Sequence, residues 1–286
     1  KKITGSDTPL GYPPNTPSIT QIFQTLGQTN GIPSRGLIIM ISDTSNDEDG
    51  FRLERRSPGG AFASIATLSQ NTDEYTDWGL GVSIQYTYRV QAFNEFGDSS
   101  WSNERTETSA ELQSEHIIVY SDADATVYEE YPDANFGGQL YFEIAGQAGY
   151  WGERAYSLIY FPLPDIPTFA FGLEGAHLVT CEAGGGNSTY PGAMLLNVRP
   201  VTGQWYENSV TWNNYPAPWL GNPGTAIHNP NTIPCVSIDV YDIVSDWYVG
   251  FPLNWGFLIE SESAAYCRYY ARETNSEAYL IITYSY

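Results

Sequence analysis

At 286 residues the chain is long for one compact domain and comfortable for two, each able to bury its own core. Its 22 tyrosines, 27 glycines and 18 prolines point to many short strands and tight turns, and no apolar run approaches the roughly 20 residues a membrane-spanning helix requires. A net charge of −21 excludes nucleic acid as a partner, because phosphate binding needs a basic footprint.

The charge is uneven. Up to residue 115 there are 8 basic and 15 acidic residues, and beyond it 4 and 18; Lys1 and Lys2 are the only lysines. A chain that starts at Lys1 rather than Met, rich in Thr, Asn and Tyr, is expected to be a processed polypeptide exported to the cell surface. Cys181, Cys235 and Cys267 form no CxxC pattern and suggest no zinc site. One disulfide and one buried thiol is one arrangement of three, and the pairing is unreadable from spacing. His116, His177 and His228 lie far apart and read as separate structural residues.

Residues 1–16, KKITGSDTPLGYPPNT, carry too many prolines to build a core, although Ile3–Thr8 has the length of a short strand. An ordered leader of this kind needs a docking groove, and a neighbouring copy's sheet edge supplies one by strand addition. Ile3, Leu10 and Tyr12 are the side chains expected to seat there as a donor strand, with Lys1 and Lys2 facing carboxylates.

Residues 17–109 read as a β-sandwich. Ile19–Ile22 and Gly36–Ile41 are strand candidates, Asn46–Gly50 is an acidic turn expected to be solvated, and Tyr86, Tyr88, Val90 and Ala92 share one face of an alternating strand. DGFRLER, Leu80 six residues before Tyr86, and YTYRVQAFNEFGDSSWSNE resemble a fibronectin type III domain. That resemblance implies a spacer or interaction module, with Tyr86 as the tyrosine-corner residue of such sandwiches.

A polar linker at 110–115 leads into a larger domain, 116–286. Strands are predicted at Ile117–Tyr120, Leu140–Ile144, Ala155–Phe161, Ala176–Cys181, Met194–Val201, Trp255–Glu260, Cys267–Ala271 and Tyr279–Tyr284, with one helix at Val240–Tyr248 stopped by Gly250. Eight strands at this spacing suggest a two-sheet jelly roll, so the chain as a whole is expected to be all-β. DATVYEEYPDANFGG, RAYSLIYFPLP, WYENSVTWNNYP, DVYDIVSDWYVG, NWGFLIE and YYARETNSEAYLIITY resemble, in order, the DNRLRE or disaggregatase-related domain. The resemblance implies a module of the carbohydrate-binding kind, some of which are directed at alginate. Ala271 stands where that family carries Ser, beside the retained Arg272–Glu273 pair.

Gly203–Trp219 concentrates three of the eight tryptophans in 17 residues. Ser209–Trp212 is expected to be a short strand with Val210 and Trp212 on one face. The stretch reads first as an aromatic corner packed on a sheet, and second as a stacking platform for sugar rings made by Trp205, Tyr206, Trp212, Tyr215 and Trp219. Asp122, Asp124, Glu129 and Asp133 are candidate Ca²⁺ ligands, against the simpler reading of a solvated acidic loop. Asn187 begins an N-glycosylation sequon. Glu207, or Glu260 with Glu262 on one strand face, are the carboxylates a polysaccharide-degrading enzyme would use, but no histidine or nucleophile motif joins them. The sequence therefore favours a non-catalytic extracellular structural protein, a surface or filament subunit binding other copies of itself head-to-tail. A carbohydrate-binding adhesion module for neutral or acidic polysaccharide is the alternative.

Overall fold

The computed structural model describes residues 11–44, 47–146, 153–166, 170, 172–183, 193–219, 221–229, 234–263 and 265–286. Two compact units emerge, the first made chiefly of the chain up to Gln113, with Tyr286, and the second of Ser114–Ile166 and Gly172–Ser285.

The first unit contains β1 (Ser18–Thr29), β2 (Ile32–Ser42), β3 (Gly50–Arg56), β4 (Ala63–Ser69), β5 (Glu74–Trp78), β6 (Gln85–Asn94), β7 (Gly97–Asp98) and β8 (Arg105–Thr108). One sheet runs β1-β2-β5; the other runs β4-β3-β6, with β7 and β8 both on β6. β1 and β2 are longer than their apolar runs suggest. Asn30 and Gly31 take φ of 53° and 77°, the left-handed pair a two-residue hairpin turn requires, and this turn carries the pairing out to Thr29 and Ile32.

Leu37, Ile39 and Ile41 pack with Phe51, Leu53, Tyr86, Tyr88, Val90 and Ala92 to form the core of a fibronectin type III-like sandwich. The Tyr86 hydroxyl accepts the Gly81 N–H at 3.1 Å, closing the tyrosine corner just after buried Leu80. The acidic turn is not uniformly solvated: Glu48 is 2% exposed, and its Oε1 accepts the Asn71 N–H.

The second unit contains β9 (Ser114–Tyr120), β10 (Ala123–Tyr128), β11 (Phe136–Gly137), β12 (Tyr141–Ala145), β13 (Ala155–Tyr160), β14 (Gly172–Cys181), β15 (Met194–Pro200), β16 (Gly224–His228), β17 (Cys235–Asp239), α1 (Tyr241–Val249), β18 (Phe257–Ser261), β19 (Tyr266–Tyr270) and β20 (Tyr279–Ser285). A four-stranded sheet, β17-β14-β20-β9, faces an eight-stranded one made of the path β11-β10-β13-β18-β15-β16 and the β12–β19 ribbon, which joins it through β13. Every pairing is antiparallel, which gives the jelly roll.

Ala176, Leu178, Leu280 and Ile282 meet Phe142, Ile159, Leu196, Val198, Phe257 and Ile259 between the sheets. Each of these side chains larger than alanine is worth about 1.5–3 kcal/mol of burial. Ile243, Val244 and Trp247 of α1 add to this core, and Gly250, at φ 92°, ends the helix by donating its N–H to Asp246 and Trp247 carbonyls. Cys181 and Cys235 are register partners on β14 and β17 and form a disulfide, while Cys267 is a buried free thiol.

Candidate functional site

A second, smaller apolar cluster lies apart from the main core. Ala125 and Val127 of β10, Leu158 of β13 and Leu258 of β18 meet Val201 and Val210, with Trp205, Trp212, Tyr215 and Trp255 packed against them. The 203–219 segment therefore lies on the eight-stranded sheet. Ser209–Trp212 does not form the expected strand. Two successive turns replace it, because asparagine amides take the backbone groups a ladder would use. Asn214 accepts the Thr211 N–H at 2.7 Å and donates to the Ser209 carbonyl at 3.0 Å. Asn135 donates to the carbonyls of Glu207 and Val210, both at 2.7 Å. Gly137 lies so close that a Cβ there would sit 2.0 Å from the Glu207 carbonyl oxygen.

The five aromatic residues of the segment divide into two groups. Trp205, Trp212 and Tyr215 are half-buried: Trp205 Nε1 donates to the Trp255 carbonyl at 2.8 Å, and Trp212 lies 5.1 Å from the Tyr156 ring. Tyr206 and Trp219 are 59% and 42% exposed, and each borders a separate concavity.

The Trp219 groove, of about 340 Å³, has polar groups from the exposed side of α1, Asp242, Ser245 and Asp246, together with Asn222. The indole is held firmly. Its residue's N–H donates to the Pro200 carbonyl at 2.7 Å, Phe251 meets the ring edge-on at 5.7 Å, and a Cβ on Gly221 would come within 2.9 Å of it. Arg199 fixes the same loop by donating to the Gly221 carbonyl at 3.0 Å. A rigid aromatic face beside carboxylates and an amide is an arrangement that takes up hydroxylated rings, the apolar C–H face on the indole and the hydroxyls on the acceptors. Neither Asp242, Ser245, Asp246 nor Asn222 stood out in the sequence, although Asp242 and Asp246 share an i, i+4 helix face.

The Tyr206 cavity, about 320 Å³, includes Asp122, Gln204, Glu207 and Trp255. Behind it is a compact charge cluster. Arg272 donates to both oxygens of Glu207, at 2.6 and 2.5 Å, and its backbone N–H donates to Asp124 at 2.7 Å. Carboxylate atoms of Asp124, Glu207 and Glu273 lie within 4.8 Å of one another. Burial, with Glu273 and Glu207 nearby, pushes Asp124 up to about 7, against the Arg272 N–H. Burial also works against ionised Glu207, but the Arg272 hydrogen bonds outweigh it and hold that carboxyl below its usual range. Ala271, next to Arg272, is fully buried in the main core.

The four acidic residues considered for Ca²⁺ go to different places. Asp124 joins Glu207 and Glu273, where the Arg272 guanidinium already supplies positive charge; Asp122 borders the Tyr206 cavity. Glu129 is bound by Arg154 at 2.8 and 3.1 Å, and Asp133 accepts the Asn213 amide at 2.8 Å. Of the enzyme-type carboxylates, Glu207 is held by Arg272 and Glu260 by Arg199 at 2.9 Å; β18 stops at Ser261, so Glu262 is not on the same strand face. Arg268 is similarly paired with Glu143, so each of the four arginines after residue 115 is committed to a carboxylate.

Lys1, Lys2, Ile3, Leu10 and Asn187 lie outside the described residues. Tyr12 is described: its ring is 68% exposed, and its carbonyl accepts the Asn94 amide of its own unit at 3.2 Å.

Residues 116–284 match the family model described as "Carbohydrate-binding module family 96". The chain belongs to that family. The match carries this description rather than the DNRLRE name the motifs suggested, and it takes in all or most of every strand of the second unit and both aromatic concavities. No curated protein matches the chain. Among solved structures, the FN1–FN3 domains of chicken CNTN1 are similar at 10% identity and a TM-score of 0.28, covering 80% of this chain and 62% of that one. A native α-L-rhamnosidase from Aspergillus terreus is similar at 11% identity and a TM-score of 0.25, covering 93% of this chain and 27% of that one. The chain thus spans less than two thirds of either. No described helix of the family 96 chain is long and apolar enough to cross a membrane.

Proposed function

We propose that this chain is an extracellular, non-catalytic polysaccharide-binding protein whose family 96 module grips neutral glycan at the Trp219 groove, with the fibronectin type III-like unit as a spacer. The observation that carries the proposal is Trp219 itself: a large, immobilised, partly exposed ring beside Asp242, Asp246 and Asn222 within a carbohydrate-binding family. Tyr206 and its cavity would extend the contact. The Cys181–Cys235 disulfide favours an oxidising compartment.

Charge decides between neutral and acidic polysaccharide. From residue 116 onward there are 18 acidic and 4 basic residues, and all four arginines are already paired. A polyuronate arriving at such a surface is repelled and finds its cations neutralised, whereas a neutral chain meets neither obstacle. This reading takes precedence over the filament subunit expected from sequence, because the family match bears on carbohydrate and not on assembly.

The test is affinity electrophoresis of the whole chain in gels containing a neutral β-glucan, a neutral mannan or a polyuronate, repeated at two salt concentrations. Retardation by a neutral polymer, independent of salt, supports the proposal. Retardation by polyuronate alone would overturn it.

A further inference from the structure

We infer a second ligand site in the family 96 unit, selective for saccharides that carry a free ammonium group. It is a cavity of about 290 Å³ that shares no lining residue with the Trp219 groove, bordered by Tyr128, Tyr131, Tyr266, Glu130, Glu143 and Glu153. The inference relies on the carbohydrate reading only in taking the ligand to be a sugar.

The walls are aromatic and held in place. Tyr128 and Tyr131 stand nearly perpendicular, at 78°, with centroids 6.4 Å apart, and Phe136 packs against Tyr128 at 4.6 Å. The Tyr128 hydroxyl donates to Glu143 at 2.7 Å, and Arg268 donates to the other oxygen of that carboxylate at 2.5 Å. Glu143 is thus committed to positioning the cavity. Tyr266, whose ring lies 5.7 Å from the Arg268 guanidinium, forms a further wall.

The charge of the cavity is not balanced. Arg154 also lines it, but its guanidinium is bound by Glu129, and Arg268 is bound by Glu143. Neither Glu130 nor Glu153 has an ion-pair partner among the described residues. Glu153 Oε2 is closed off from solvent and has no hydrogen-bond partner among the described residues. Two carboxylates without a cationic partner among the described residues, one of them bonded by the Tyr131 hydroxyl, stand among tyrosine faces and match an ammonium ion twice over. The rings attract it through their quadrupoles, and the carboxylates accept its charge-assisted hydrogen bonds. A 2-amino sugar brings that ammonium together with a C–H face that stacks on tyrosine. Its N-acetylated form loses the charge, and a uronate brings charge of the wrong sign.

Calorimetric titration of the whole chain with a tetrasaccharide of glucosamine, and with its fully N-acetylated counterpart, tests this below the pH at which the amine deprotonates. We expect the amino form to bind at least tenfold more tightly. Glu153→Gln should remove that preference, whereas Glu262→Gln, which deletes the same charge at an exposed position elsewhere, should leave it. Melting temperatures of the variants establish that each is folded. Equal affinity for the two tetrasaccharides, no binding of the amino form, or equal losses in Glu153→Gln and Glu262→Gln would overturn the inference. Loss of neutral-polysaccharide binding in Trp219→Ala is a separate readout, so the two sites stand or fall independently.

Discussion

Arg272 and Glu207 form a two-point ion pair, Nε and Nη2 of one meeting Oε1 and Oε2 of the other at 2.6 and 2.5 Å. It fastens the loop after β19 to the aromatic segment lying on the eight-stranded sheet. Asp124 of β10 is drawn into the same knot, donating its own N–H to Glu207 at 3.1 Å. Arg272→Ala leaves three carboxylates facing one another without a cation. We expect a loss of about 1.5–3 kcal/mol, read as a lower urea midpoint at unchanged slope, with Arg272→Lys recovering part of it because a point charge cannot reproduce the fork.

The same knot sets a pH dependence. Asp124 titrates near 7, well above an exposed aspartate. A carboxyl raised on folding stabilises below its unfolded pKa of about 4, and that contribution is lost as pH rises through 7. Glu207, held low by Arg272, acts oppositely: its contribution is present at neutral pH and lost as the solution is acidified below the usual carboxylate range. Melting temperature should therefore fall as pH rises from 4.5 to about 7 and level off above it. Asp124→Asn should flatten the fall while keeping an oxygen for the Arg272 N–H.

In the first unit, Tyr86→Phe removes only the hydroxyl that accepts the Gly81 N–H. The expected cost is about 0.5–1.5 kcal/mol, the net worth of one hydrogen bond. It should appear in thermal unfolding of the whole chain as a shift confined to the transition of the first unit.

Reduction of Cys181–Cys235 opens a bridge across 54 residues and is expected to destabilise the second unit by about 2–4 kcal/mol. Cys267, 2% exposed and with its thiol pushed up to about 12 by burial, should resist alkylation until the unit unfolds. Rapid labelling of Cys267 in the native protein would show that this part of the core opens readily.

Much of the fold was legible because alternation and turn chemistry pointed the same way. The face made by Tyr86, Tyr88, Val90 and Ala92, and the helix stopped by Gly250, need nothing beyond local sequence. The Asn30-Gly31 turn was an available signal for the long β1–β2 hairpin, obscured by the polar residues between Phe23 and Ile32. The aromatic segment was less readable. Its backbone is satisfied by Asn135 and Asn214 side chains, one of them far away in sequence, so strand propensity at Val210 and Trp212 did not decide the outcome. The groove was harder still: Trp219 was named, but its polar partners come from α1, and only the fold brings them together. The acidic residues considered as cation ligands are dispersed by the fold for the reverse reason, since arginine and asparagine partners distant in sequence take two of them.

The most direct test of glycan binding is isothermal titration of the intact chain and of Trp219→Ala with an oligosaccharide of the neutral polymer that retards it most. Because the indole is 42% exposed, its removal should leave the melting temperature nearly unchanged. Affinity should fall by about tenfold or more, as expected for an aromatic anchor at the centre of a site. A folded Trp219→Ala protein that binds the oligosaccharide as tightly as the parent chain would contradict the assignment of the groove.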